Sequence, residues 1–299
     1  MAWQRKILRV DLTTGTCESE DLNMDWARKY LGSRGLATKY FAEEVDPKVD
    51  PLSADNKLII ATGPLTSTVA PTSGRWTAIT KGPLTGAIAC SNSGGFFGAE
   101  LKNAGWDMII FQGKSSGPVY LDIKNEDAEL KDASAMWGKS VWETEDMLRE
   151  IRGDKFIRCA SVGQAGENGV LFAGIINDKD RAAGRSGVGT VMGSKNLKAI
   201  AVRGTIGVKP EDPEGLSKAA NAAKKILAEN AVTGEGLPTF GTQVLMNVIN
   251  ETGALPTRNS TDVQFEGASN ISAEAMAEVR ESDGRANLVS NAACFGCPI

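Results

Sequence analysis

One pattern occurs twice in this sequence. The stretch SNSGGFFGAELKNAGWDMIIFQGK (91–114) runs from a small-residue loop through a short helix into an apolar strand, and AAGRSGVGTVMGSKNLKAIAVRGT (182–205) repeats that order. A shorter echo, GPLT, stands at 63–66 and 82–85. Such repetition points to two similar half-domains related by pseudo-twofold symmetry, their Gly-rich loops facing one ligand. Gly-rich loops also recur in any sheet protein, and the pattern alone leaves that plainer reading open.

The elements around the echo fit a sheet-rich first part. KILRVDL (6–12) and TCESEDL (16–22) flank Thr13-Thr14-Gly15 as a hairpin. Further strands are expected at 57–62, 75–80, 86–91, 108–113, 119–124, 156–163 and 199–204. A helix broken around Gly32 and Gly35 is expected over 24–44, and Ser140-Val-Trp-Glu143 fits a capping box that starts another. After Lys209 the composition turns helix-forming, and Asp212-Pro213 is suited to open a helix, with Asp as cap and Pro in the first turn. The boundary is therefore set at 208/209. Residues 1–208 form one domain, and 209–299 begin a mostly helical second one.

Composition excludes several classes of function. The 299 residues are 41% hydrophobic and 23% charged, ordinary for a globular chain with a sizeable core. A net charge of −4 without a long Lys/Arg block argues against nucleic acid as a partner. No run of 18 apolar residues exists, and MAWQRKILRVDLTTG interrupts any signal-like apolar core. No membrane partner is expected, and the location expected is cytoplasmic. The five cysteines, few and odd in number, do not form a secreted disulfide framework. With no histidine in the chain, histidine zinc sites and a histidine general base are excluded within it.

Three stretches carry candidate chemistry. SNSGG (91–95) precedes a helix, where backbone N–H groups make an anion cradle and glycine lets a phosphate approach. DRAAGRSGVG (180–189) has the same ingredients plus Arg181 and Arg185, whose guanidinium forks match phosphate oxygens. A pair of such loops suits a ligand with more than one phosphate, although neither meets a nucleotide fingerprint, and a structural turn remains the alternative. Arg75, behind Pro, Ser and Gly at a strand start, reads either as a tethered cation or as a solvated surface arginine. Cys294-Phe-Gly-Cys297 lets two thiolates reach one metal or cluster, with Pro298 in a position frequent after cluster cysteines. Half a zinc ribbon, a redox dithiol and half an iron–sulfur site all fit that spacing. Cys17, Cys90 and Cys159 lie in or beside strands and read as buried thiols.

Taken in order, GSRGLATKYFAEEVDPKVDPLSADNKLIIATGPLT, APTSGRWTAITKGPLTG, SNSGGFFGAELKNAGWDMIIFQGK, AGEN, DRAAGRSGVGTVMGSKNLKAIAVRGT and GEGLPTFGTQVLMNVINETGALPTRN resemble the aldehyde:ferredoxin oxidoreductase family of tungsten-containing bis-pterin enzymes. The resemblance covers essentially the whole chain. It implies an α+β fold, in which an N-terminal base of two β-sheets carries the tungstopterin and a mostly α-helical domain begins after it. It also implies that the family's cluster motif, C-x-x-C-x-x-x-C, begins at Cys294 and Cys297 and would need its third cysteine two residues past Ile299. The chain thus looks like the N-terminal portion of a protein about twice as long, cut inside that motif.

Position by position, the resemblance assigns Asn92 and Ala182 to the backbone carbonyls that hold the Mg2+ between two pterin phosphates. Ser93, Gly94, Gly95, Arg181, Gly184 and Arg185 fall in the phosphate-lining loops, and Arg75 takes the place between pterin and cluster. The implied activity is oxidation of aldehydes to carboxylic acids, with electrons leaving through a [4Fe-4S] cluster to ferredoxin or a ferredoxin-like subunit. Molybdenum in place of tungsten, a homodimer, and a same-family reductase of carboxylic acids or aromatic thioesters stay open, as does a metal-free scaffold. Residues that do acid/base chemistry would lie beyond this chain, so no catalytic residue is assigned.

Overall fold

The computed structural model describes residues 2–297. Its first sheet has the strand order β2-β1-β6-β3-β4-β5, from β1 (Lys6–Asp11), β2 (Thr16–Asp21), β3 (Leu58–Thr62), β4 (Trp76–Lys81), β5 (Ile88–Ser93) and β6 (Met108–Gln112). The hairpin of β1 and β2 forms around Gly15 as expected. Only β1 and β6 run parallel, and every other pairing is antiparallel.

The second sheet repeats this plan. It comprises β7 (Val119–Lys124), β8 (Asp127–Asp132), β9 (Arg158–Ser161), β10 (Ile175–Asn177), β11 (Arg181–Ala183) and β12 (Leu197–Arg203), in the order β8-β7-β12-β9-β10-β11. Again a hairpin opens the sheet, one parallel pair (β7 with β12) lies in the middle, and the rest is antiparallel. Strand by strand the second half matches the first, so the sequence echo is a true repeat of topology: β5 leads through a Gly-rich turn into a helix and β6, and β11 does the same into β12.

Side-chain alternation explains how the two sheets share a core. Leu8 and Val10, Leu58 and Ile60, and Ile109 and Phe111 of one sheet face Leu121 and Ile123, Ala160 and Val162, and Ile200 and Val202 of the other, with a period of two along each strand. Phe97 and Leu101 on α3 (Phe97–Asn103) and Val188, Val191 and Met192 on α6 (Val188–Ser194) join that core. The intervening residues turn outward. Ile7, Ile59 and Ile110 pack under α1 (Met24–Tyr30) and α2 (Ser33–Glu44), while Tyr120, Ala199 and Ala201 pack with Leu148 of α4 (Val141–Arg152). A short α5 (Gln164–Glu167) precedes β10.

Several expectations shift by a few residues. The break in the 24–44 helix falls at Leu31 and Gly32, because Leu31 takes φ 65°, whereas Gly35 lies inside α2. The strand expected at 86–91 is Ile88–Ser93, and Arg181–Ala183 is a strand, so Asn92, Ser93, Arg181 and Ala182 stand on edge strands where loops were expected. Ladder pairing with β4 and β10 carries both strands that far. The capping box at Ser140 is present, and α7 (Pro213–Glu229) opens where Asp212 accepts the Gly215 N–H at 2.8 Å.

The chain divides into two compact units. The larger extends through Leu216 and also takes in Cys294–Gly296; the smaller comprises Ser217–Ala293 and the residues from Cys297. Within the smaller one, α7 is followed by α8 (Leu237–Phe240), α9 (Leu245–Glu251) and α10 (Ala273–Ala277). Among the described residues, no helix is long and apolar enough to cross a membrane.

Candidate functional site

The two Gly-rich turns meet. Ser91 Oγ accepts the Arg185 N–H at 3.0 Å, which ties the end of β5 to the turn after β11. Asn177, fully buried at the end of β10, reaches into the other half: its Oδ1 accepts from Ser93 Oγ at 2.6 Å and from Trp76 Nε1 at 3.3 Å, and its Nδ2 donates to Gly94 O at 3.0 Å. A Cβ on Gly95 would stand 3.1 Å from Cγ of Arg181 and against Asp178. Asn92, Ser93, Gly94, Gly95, Arg181, Ala182, Gly184 and Arg185 are therefore brought together at neighbouring edge strands and turns.

The expected anion cradle at the first turn of α3 takes a different form. The amides of Phe96 and Phe97 donate to Asp178 Oδ2 at 2.7 and 3.2 Å, so a carboxylate from the other half already complements the positive end of that helix. Asp178 adopts φ 49° in the turn after β10, and its other oxygen lies 3.5 Å from Arg158, whose guanidinium stacks 4.7 Å from the Phe96 ring centroid. Sequence reasoning missed Asn177 and Asp178, because nothing local marks a residue that acts some eighty positions away in the chain. The strain at Asp178 and Lys179, both left-handed without being glycine, is visible only in the fold.

Arg75 and Asn92 share a second feature. They line a cleft of about 510 Å3 together with Tyr30–Gly35 and Thr77. Within it Ser33 Oγ, Thr77 Oγ1 and Asn92 Oδ1 form a chain with 2.6 Å at each step. Arg75 and Arg34 are both exposed there, and neither forms an ion pair with a carboxylate among the described residues. A wider cleft of about 750 Å3, lined by Asp122, Lys131, Arg152, Asp154 and Arg203, lies away from these residues. Its charges neutralise one another: Lys131 donates to Asp122 at 2.7 Å, Arg152 donates to the same carboxylate, and Arg203 pairs with Asp154 at 3.1 Å.

The cysteines separate into two kinds. Burial pushes the Cys17 thiol up to about 11 and raises those of Cys90 and Cys159, with Arg34 opposing the shift at Cys90. These three are held as protonated thiols, poor metal ligands. Cys294 lies against the sheet unit: the Phe295 N–H donates to Gly95 O at 3.1 Å, and the Thr72 N–H donates to Gly296 O at 2.7 Å. Cys297 belongs to the smaller unit, and Pro298 lies outside the described residues. No group of three or more His, Cys, Asp or Glu side chains that could hold a metal exists among the described residues.

The family described as aldehyde ferredoxin oxidoreductase, N-terminal domain, matches residues 7–204, which hold both sheets and both Gly-rich turns, and its domains 2 and 3 match 218–299. The chain belongs to the aldehyde ferredoxin oxidoreductase family. The tungsten-containing aldehyde ferredoxin oxidoreductase of Pyrococcus abyssi is 54% identical over 294 residues, covering 98% of this chain and 47% of that protein. The Pyrococcus furiosus protein of the same description is 50% identical, covering 99% of this chain and 48% of its own length. The chain therefore spans about half the length of these curated relatives. More distant is the aliphatic sulfonate oxidoreductase, WOR-like subunit, of Pyrococcus furiosus, 38% identical over 226 residues that cover 70% of this chain and 36% of that protein. Among solved structures, the active site complex BamBC of benzoyl coenzyme A reductase superposes with a TM-score of 0.81 at 33% identity, covering all of this chain and 47% of that one. The expected α+β architecture with a two-sheet base is thus borne out.

Proposed function

We propose that the protein to which this chain belongs oxidises aldehydes to carboxylic acids at a tungsten bis-pterin centre and delivers the electrons to ferredoxin or a ferredoxin-like subunit. The observation that carries this reading is the convergence of the two topologically equivalent turns beside Arg75 and the Cys294 segment. A pair of equivalent edges suits a cofactor with two similar arms. When bound, the tungsten centre would supply two-electron redox chemistry to the carbonyl carbon of the substrate.

The roles of the chain's own residues follow from their chemistry. Asn92 and Ala182, exposed on the outermost strands β5 and β11, have backbone carbonyls suited to hold Mg2+ between two phosphates. Arg181 and Arg185 bring guanidinium forks to the same edge, with Ser93, Gly94, Gly95 and Gly184 forming the turns. Because Asp178 occupies the first turn of α3, anion binding here falls to arginine side chains more than to helix amides. Arg75 would counter the cofactor's negative charge from within its cleft. Cys294 and Cys297 would supply two of the thiolates of a [4Fe-4S] cluster. In domain terms, residues 1–208 are the cofactor base and 209–299 the start of the helical second domain. The same reading expects the enzyme in the cytoplasm, with a homodimer and a ferredoxin-like partner subunit both open as its assembly.

An identity of 50–54% to aldehyde-oxidising relatives, against 33% to the benzoyl coenzyme A reductase complex, favours aldehyde over thioester as substrate. The test is metal analysis of enzyme purified anaerobically from its host, joined to viologen reduction. About one tungsten and four irons per chain, with aldehyde-dependent reduction, is the expected result. Molybdenum in place of tungsten would change the metal alone; metal-free protein would leave a scaffold.

A further inference from the structure

Cys294 is seated by the sheet unit and not by its neighbours in sequence. Its seat has three walls. One is the backbone of 72–74, where Thr72 holds Gly296 O and a Cβ on Gly74 would stand 3.0 Å from the Phe295 Cβ. A second is Gly94–Gly95, whose terminal carbonyl accepts the Phe295 N–H. The third is aromatic: the Phe295 ring meets Phe96 edge-on at 6.4 Å and 87°, and Arg158 covers the Phe96 ring at 4.7 Å.

Gly94 is the informative position. It does not adopt a left-handed φ, so its backbone would accept alanine, yet a Cβ there would lie 2.6 Å from Cys294 Sγ. The only other contact within 4 Å is Cβ of the same cysteine, at 3.6 Å. The missing side chain thus makes room for a sulfur. We propose that Gly94 is a positioning residue for Cys294, which fixes this thiol against the end of β5, one residue from Ser93 and Gly95 of the cofactor-facing turn. The consequence for catalysis rests on reading Cys294 as a cluster ligand, whereas the geometry does not. Both ends of the electron path would then be registered to one strand end, with the cysteine carried there by a segment remote in sequence.

The experiment uses the full 299-residue chain without metal, by iodoacetamide alkylation of Cys294 followed by peptide mass and by amide exchange across Phe295. Gly94→Ala is expected to speed both by about tenfold, as overpacking loosens the seat. Gly117→Ala, whose Cβ would meet nothing within 4 Å, is expected to change neither. In a Cys294→Ala background, Gly94→Ala should no longer alter Phe295 exchange, since the sulfur it strikes is gone. Rates within about twofold of wild type in Gly94→Ala would overturn the proposal, as would an undiminished effect in the Cys294→Ala background. If Gly94→Ala alone does not fold, Cys294→Ala must restore folding, and failure to do so overturns it equally. Iron-free native enzyme would remove the cluster reading and leave all of these rates as they are.

Discussion

Lys195 shows what burial does to a single charge. Fully buried just after α6, its ammonium donates to Gly113 O at 2.8 Å and Ala54 O at 3.3 Å, two carbonyls and no carboxylate. Desolvation lowers its pKa from 10.5 to about 8; Asp55 opposes the shift, and Lys114 and Lys57 add to it. Between pH 8 and 10.5 the unfolded chain therefore binds more protons than the folded one, and stability from this group rises with pH; below pH 8 a constant penalty of roughly 3 kcal/mol remains. Lys195→Met should gain relative to wild type at pH 8 and lose most of that advantage by pH 10. Urea midpoints at the two pH values read this directly, and a difference that does not change with pH would exclude it. Lys102, equally buried, is also lowered by desolvation, but there Asp107 opposes the shift as a direct partner, whereas Lys195 hydrogen-bonds carbonyls alone.

At the scale of the element, the paired halves end their outer helices differently. The N-terminus of α4 is closed by the Ser140–Glu143 box, with both reciprocal hydrogen bonds formed, whereas α2 starts at Gly32 with no side-chain cap and opens onto the cleft of Arg75 and Asn92. Ser140→Ala is expected to cost about 1 kcal/mol, seen as a lower midpoint in thermal unfolding followed by circular dichroism; an unchanged midpoint would mean the box is redundant. Features of this local kind were legible in the sequence: the Ser140 box lives in four consecutive residues, Asp212-Pro213 in two, and the Gly15 hairpin in three. Strand β8, DAELKD, was not, because four charges in six residues and no β-branched side chain leave only its ladder with β7 to define it. Three-residue β10 and β11 are too short to show a period. The residues of the two Gly-rich turns were assigned by resemblance, and the meeting of those turns was legible in the sequence echo, but the Asn177–Asp178 bridge required the fold, since its partners come from the other half.

For the whole molecule, the distribution of buried side chains decides where the chain is firm. Between 217 and 293 the only buried hydrophobics are Ala220, Ala268 and Ala273, while Ile226, Val248, Val263, Val279 and Val289 are each more than half exposed. So little apolar burial predicts low local stability there. Limited trypsin digestion should cut at Arg280 or Arg285 before any site in 6–204, and first cuts within the sheets would contradict this. The return of Cys294–Gly296 to the sheet unit has a consequence in time. Ribosomes add about 5–20 residues per second, and a domain generally folds as a unit once its chain has emerged. The sheet unit that walls the cysteine seat is made by Leu216, and Cys294 follows only after the whole of Ser217–Ala293 has been made. The socket thus exists for on the order of ten seconds before its occupant, an order of assembly written into the chain's connectivity.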